Sequence, residues 1–192
     1  MATYHYTPLC PGTDSVRLLR LLPHEDETAP LQSQLFNYSL QESDKICVSY
    51  EALSYVWGNP DRPMSISIDG RAVAITVNLH AALSCLRGRS VERVIWVDAI
   101  CINQEDAQER GHQVRSMVKV FGRAERVIVW LGEEAEDSYR AFEEIGVAAS
   151  KKSLNSSNND KTVQQAVLAL FQRSWFRRIW VRELTLDTLS KI

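Results

Sequence analysis

The sequence predicts an α/β fold, a mostly parallel sheet flanked by helices and elaborated near the N-terminus by a β-hairpin. Three observations carry this. Two strand-helix steps, 93–124 and 126–150, each set an apolar run before a helical pattern. Both runs, RVIWVDAI (93–100) and RVIVWLG (126–132), are continuous rather than alternating, as expected of strands covered on both faces. The stretch SISIDGRAVAIT (65–76) places two alternating runs about Asp69-Gly70, the strongest short hairpin signal.

Taken in order, SVRLLRLLP (15–23) reads as a first strand closed by Pro23, and HEDETAPLQSQ as a polar loop. KICVSYEALSYVWG (45–58) is rich in Val, Tyr and Ile and ends in a Trp-Gly turn, so it holds one strand or two. NPDRP is a loop before the hairpin. Asn78 is placed to cap the helix NLHAALSCLRG, which Gly88 stops. In QEDAQERGHQVRSMVKVFGRA (104–124), Val114, Met117, Val118 and Phe121 fall at helical spacing on one face. DSYRAFEEIGVAA is a further helix. KKSLNSSNNDK (151–161) is a mobile polar loop, and TVQQAVLALFQRSWFRRIWVREL a last helical or helix-turn-helix segment.

The bulk properties narrow the functional classes. A chain of 192 residues with 45% hydrophobic content fits one domain over 1–192, long enough to bury a core. A net charge of -2 provides no basic field for nucleic acid or an anionic membrane. No apolar run is long enough to span a bilayer, and MATYHYTPLC lacks the basic start and apolar stretch of a secretory signal, so a cytoplasmic protein is expected. There the sequons at Asn37 and Asn155 would go unused. Cys10, Cys47, Cys85 and Cys101 are scattered without a CxxC pair, so neither a zinc site nor a disulfide framework is expected. There is no GxGxxG, GxxxxGK[ST], HExxH or GxSxG, and the four histidines lie far apart, which argues against a nucleotide cofactor, a zinc hydrolase and a Ser-His hydrolase.

Chemistry concentrates in IWVDAICINQEDAQER (95–110), where a strand gives way to a helix and α/β sheets gather ligand groups. Asp98 and Glu109 can serve there as carboxylates, Asn103 and Gln104 as hydrogen-bond donors, with Arg110 beside them. Alternatively Asp98 or Asn103 caps the helix while Glu109 and Arg110 pair with neighbours, and on pattern alone this second reading is favoured. Cys101 with His112 has the makings of a nucleophile and base, but no third group orients them, so a buried structural thiol is preferred. Tyr55 and Trp57, before a Gly turn, can stack on a planar ligand or belong to the core. In SWFRRIWVRELTLD (174–187), a helix would align Phe176, Trp180, Glu183 and Asp187. A carboxylate on such a face has a raised pKa and can act as acid, base or charge stabiliser. Arg173, Arg177, Arg178 and Arg182 have the chemistry for phosphate, although a docking helix with solvated charges is preferred for them.

The blocks YEALSYVWG, ITVNLHAALSCLR, IWVDAICINQEDAQERGHQVRSM and FGRAERVIVWLG, in that order, resemble the heterokaryon-incompatibility (HET) domain of filamentous fungi. WFRRIWVRE resembles the family's final motif, with Arg182 where Gln is usual, and the likeness covers about 16–186. It implies a cell-death effector of fungal non-self recognition, whose partners are further copies or other HET or receptor-type domains. The family is distantly similar to TIR domains, which implies a TIR/flavodoxin-like sheet. Some TIR domains cleave NAD+, so NAD+ is implied as a substrate rather than a cofactor, and no metal is required. By that analogy Glu183 is the catalytic acid, and Tyr55, Trp57, Asp98, Asn103, Glu109, Arg110 and Trp180 are candidates for binding substrate. The same resemblance admits a non-catalytic, self-associating module. HET domains normally continue beyond this Glu with a helical segment, whereas LTLDTLSKI closes this chain, which implies a truncated domain or an inactive relic.

Overall fold

The computed structural model describes residues 4–9, 14–41, 48–135, 138–149 and 161–177, and its contacts divide the chain into two units, Met1–Trp130 and Leu131–Ile192. In the first unit, β1 (Ser15–Leu21), β2 (Gln32–Ser39), β3 (Glu51–Tyr55), β4 (Met64–Ile68), β5 (Arg71–Ile75), β6 (Arg93–Trp96) and β7 (Arg126–Trp130) form one sheet in the order β5-β4-β2-β1-β6-β3-β7. The fold class is α/β, as the sequence predicts. β3 lies between β6 and β7 and runs parallel to both, which is the geometry that strand-helix steps produce. On the far side, β1 pairs antiparallel with β2 and β6, and β4 with β5, while β2 and β4 run parallel.

β2 has no counterpart among the predicted elements, because Gln32, Gln34 and Asn37 break the apolar pattern of QSQLFNYS. Pairing supplies what propensity does not: all seven residues of β1 find partners on β2, from Ser15 opposite Ser39 to Leu21 opposite Ser33. β1 is inside the sheet and buries Val16, Leu18 and Leu19 completely. With Leu53, Ile68 and Ile95 these make the core, each side chain contributing about 1.5–3 kcal/mol by leaving water.

The hairpin forms as predicted. Asp69 and Gly70 adopt φ of 51° and 76°, the left-handed pair that a two-residue type I′ turn needs. Helix α1 (Val77–Leu86) is capped two residues earlier than expected: Thr76 Oγ1, not Asn78, accepts the Leu79 amide at 3.3 Å. It closes at its cap Arg87, whose amide donates to Leu83 O, immediately before Gly88, where a Cβ would meet Val91 O at 2.5 Å. The run 93–100 is not a strand throughout. β6 ends at Trp96, and Asp98–Cys101 winds into a short helical turn, α2, whose Cys101 amide donates to Val97 O at 2.8 Å.

Helix α3 (Ala107–Arg123) is capped by Asp106, which accepts the Gln108 and Glu109 amides at 2.9 Å each; neither Asp98 nor Asn103 is the cap. Its buried face is rotated from the predicted one. Gln113, Ser116, Val120 and Phe121 are buried, while Val114 and Val118 are 53% and 70% exposed. A polar anchor accounts for this: Gln113 Nε2 donates to Ser15 O on β1 at 2.9 Å. β7 is the last strand in the sheet order, and its Val127 and Val129 are exposed, so its apolar run is not covered on both faces.

In the second unit, α4 (Ser138–Ala149) and α5 (Lys161–Gln172) bury Ala141, Ala166 and Leu170, with Leu131, Val167 and Phe176 packed against them. A 3-10 turn at Ser174–Arg177 follows α5 and buries Trp175. Arg173 is occupied with backbone, donating to Leu131 O and Glu133 O at 3.1 Å and to Ala135 O at 3.2 Å. Of the predicted loop 151–161, Lys161 instead opens α5; the rest of it and the stretch from Arg178 onward, with Trp180, Arg182, Glu183 and Asp187, lie outside the described residues. No helix among the described residues is long and apolar enough to cross a membrane.

Candidate functional site

Parallel strands β6, β3 and β7 finish at one edge of the sheet, and the residues that follow them meet there. Trp57 follows β3, and its indole Nε1 donates to Asp98 Oδ2 at 3.0 Å. Asp98 opens α2, where the amide of Ala99 donates to its other oxygen at 2.8 Å and the helix start favours a negative charge. Asn78, in the first turn of α1, bridges the ends of β3 and β7. Its Nδ2 donates to Val56 O after β3, and its Oδ1 accepts Trp130 Nε1 at the end of β7, 2.9 Å away. Both half-buried indoles are thus held by their N–H groups.

Beside this edge, the loop between α2 and α3 is bound to its own backbone. Gln104 Nε2 donates to Asp98 O at 2.9 Å, Asn103 Oδ1 accepts the Glu105 amide at 3.2 Å, and Arg110 donates to Gln104 O. Glu109 fixes the loop from below. It accepts the Asn103 amide at 2.7 Å and takes both arms of Arg17, at 2.6 and 2.9 Å. Arg17 comes from the middle of β1, is 1% exposed, and also donates to Cys101 O and Thr7 O. Its guanidinium lies 4.9 Å from the centre of the Tyr6 ring. Burial foremost pushes the Tyr6 hydroxyl up to about 12, with the nearby Cys101 adding to the effect and Arg17 opposing it. Burial likewise pushes the Cys101 thiol up to about 12, and its sulfur accepts the Val97 amide at 3.4 Å. A neutral thiol so enclosed is no nucleophile, in line with the structural reading.

Of the candidates read from sequence, the structure gathers Trp57, Asp98, Asn103 and Gln104 on one side of the sheet edge. Glu109 and Arg110 are next to them but committed to Arg17, Asn103 and Gln104. Tyr55 is 1% exposed and belongs to the core. Three polar residues were not singled out by their roles in the sequence: Arg17, Asn78 as a bridge, and Glu51. Glu51, at the opposite edge, takes Arg93 Nε at 2.7 Å and Arg126 Nε at 2.5 Å. The signal was present, since Arg17 in SVRLLRLL and Glu51 in VSYEALSY are charges inside apolar strands, and a charge so placed demands a partner.

Residues 50–183 match the family model described as heterokaryon incompatibility protein (HET). The match starts just before β3 and takes in Trp57, Asn78, Asp98, Asn103, Glu109 and Trp130, ending on Glu183. Among curated proteins, the chain is 34% identical over 156 residues to heterokaryon incompatibility protein 6, OR allele, of Neurospora crassa. That alignment covers 74% of this chain and 22% of the relative, so the chain spans less than a quarter of the relative's length. No solved structure matches.

Proposed function

Because the chain belongs to the heterokaryon incompatibility (HET) family, we propose that it acts in fungal non-self recognition, in the cytoplasm, as a cell-death effector that cleaves NAD+. The observation that carries the catalytic part of this reading is the edge where β6, β3 and β7 end, with the Trp57 indole held on the Asp98 carboxylate at 3.0 Å. Open α/β sheets bind ligands at the carboxyl ends of their strands, and an aromatic beside a carboxylate suits a cationic nicotinamide ring and a ribose hydroxyl. Cleavage of the nicotinamide-ribose bond passes through an oxocarbenium-like state; water then adds to the ribose carbon, releasing nicotinamide, ADP-ribose and a proton. A carboxylate stabilises the positive charge that develops. Glu183 is assigned as that carboxylate through the resemblance of WVRE to the TIR acid motif.

A second reading, a non-catalytic module that signals by self-association, draws on the apolar residues exposed on α4 and α5. Phe142 is 52%, Leu168 61% and Phe171 53% exposed. NAD+ consumption by the purified chain, shown first to unfold cooperatively, separates the two. The expected result is loss of NAD+ with wild-type protein, at least 100-fold slower with Glu183→Ala, in keeping with removal of a group that stabilises transition-state charge. Trp57→Ala should raise the KM for NAD+. No turnover by folded wild-type protein at high concentration would leave association as the mechanism, and concentration-dependent mass would then be its measure.

A further inference from the structure

A cleft of about 200 Å³ opens between the N-terminal segment, the hairpin strand β5 and the loop after α2. Its lining includes neither Trp57 nor Asp98, but it adjoins that pair through Ala99 and Gln104, both bonded to Asp98. Tyr4 and Tyr6 line it together with Ala72 and Ala74 of β5 and Ala99 of α2, whose side chains are small. Asn103 lies along it. The cleft also carries two opposite charges, Arg62 and Glu105. Neither charged end makes a hydrogen bond or an ion pair, with the other or with any other described residue. Nearby, Arg17 and Arg110 are both engaged.

The rest of the cleft is firmly built. Tyr4 is tied by its hydroxyl to Asp69 at 2.8 Å, Tyr6 packs edge-on against Tyr4 at 5.1 Å, and Thr7 O is held by Arg17 at 2.8 Å. Asn103 is held through its backbone by Glu109 at 2.7 Å, and its side-chain oxygen is spent on the Glu105 amide, which leaves its NH₂ group to donate. Two opposite charges, without a hydrogen-bond or ion-pair partner among the described residues, thus stand around a small, partly aromatic space, Glu105 on a backbone held by Asn103. We infer that this cleft is a binding site for a small zwitterion of amino-acid size. Arg62 would take its carboxylate, Glu105 its ammonium group, and the Tyr and Ala walls its side chain. The volume falls below the ~300–1,000 Å³ of pockets that hold drug-sized ligands, which favours so small a molecule. The pairing of opposite charges excludes a plain anion, which Glu105 would repel, and a plain cation, which Arg62 would repel.

The test is saturation-transfer NMR on the full chain with the twenty common amino acids in pools, followed by titration of those that bind. Wild-type protein should bind at least one of them, and Arg62→Gln and Glu105→Gln should each weaken that binding about tenfold or more. Both residues are exposed, so neither change should disturb folding, and unchanged thermal unfolding verifies this. The N-acetyl and carboxamide derivatives of the same amino acid, each lacking one charge, should bind wild-type protein correspondingly more weakly. Binding by none of the twenty overturns the inference, as does binding that survives both substitutions. An N-acetyl derivative that binds as well as the free amino acid overturns it too, since the site would then hold an anion only.

Discussion

Replacing Glu109 with Ala should destabilise the protein by about 3–5 kcal/mol, because Arg17 would be left charged and enclosed with no counter-charge. The Arg17 side chain is 2% exposed and that of Glu109 13%, so solvent cannot take over. The pair is bidentate, the geometry in which a guanidinium and a carboxylate bind most strongly. Urea denaturation of Glu109→Ala measures the loss, and a loss below about 1 kcal/mol would show the pair to be replaceable by water. The double substitution Arg17→Met, Glu109→Leu should recover much of the stability, since an apolar pair of similar volume removes both desolvation costs. It should not recover order in the loop, where Asn103 N–H loses its acceptor. Faster amide exchange of residues 102–106 in the double variant is the expected sign.

The second large effect lies at the other edge of the sheet. Glu51 is 6% exposed and accepts from Arg93 and Arg126, so that it joins the starts of β6, β3 and β7. Burial alone would raise its pKa, but the bonds to Arg93 and then Arg126 outweigh burial and hold the carboxyl below its ordinary value. The unfolded chain therefore binds a proton at Glu51 more readily than the folded one. The stability this group contributes is present above the unfolded pKa of about 4.3 and is lost as the pH falls through the folded value. Burial lowers the pKa of His80, with Arg87 adding to the effect, so the unfolded chain again binds the proton first. Stability should accordingly begin to decline as the pH falls below about 6.5, and fall further below about 4.3. Glu51→Gln should make the lower of the two declines shallower, leaving the part carried by Asp14 and Asp26, whose carboxyls are also held below their ordinary values by hydrogen bonds from Lys119 and Thr28, and should cost about 1–3 kcal/mol at neutral pH. An unchanged acid limb in that variant would refute the assignment.

What the sequence reveals follows from the range of the interactions that decide each feature. The Asp69-Gly70 turn is local: two residues adopt left-handed backbone, and the hairpin is legible from them alone. β2 is not, because QSQLFNYS becomes a strand through its register with β1. The buried face of α3 is displaced by one long-range hydrogen bond, from Gln113 to Ser15 O, which no periodicity records. The α2–α3 loop was legible as a polar cluster, yet the role of each member was not. Glu109 can be identified as support for Asn103 only when Arg17, far away on β1, is known to lie beneath it. Asn78 has the composition of a helix cap and instead joins two strand ends, since Thr76 stands at the cap position.

The position of β3 between β6 and β7 has a consequence for the order in which the molecule forms. β1 with β2, and β4 with β5, pair with their neighbours in sequence, and such pairs close small loops. β3 must instead wait for two partners made much later in the chain, with the hairpin, α1, α2 and α3 intervening. Contacts of that span dominate the time a domain takes to fold. The edge carrying Trp57 and Asp98 is then completed late, after both hairpins, and cannot exist on a ribosome that has yet to release β7. Pulsed hydrogen exchange during refolding should find the amides of β4 and β5 protected before those of β3. A nascent chain would carry this edge complete only once its synthesis has passed Trp130, the last residue of β7.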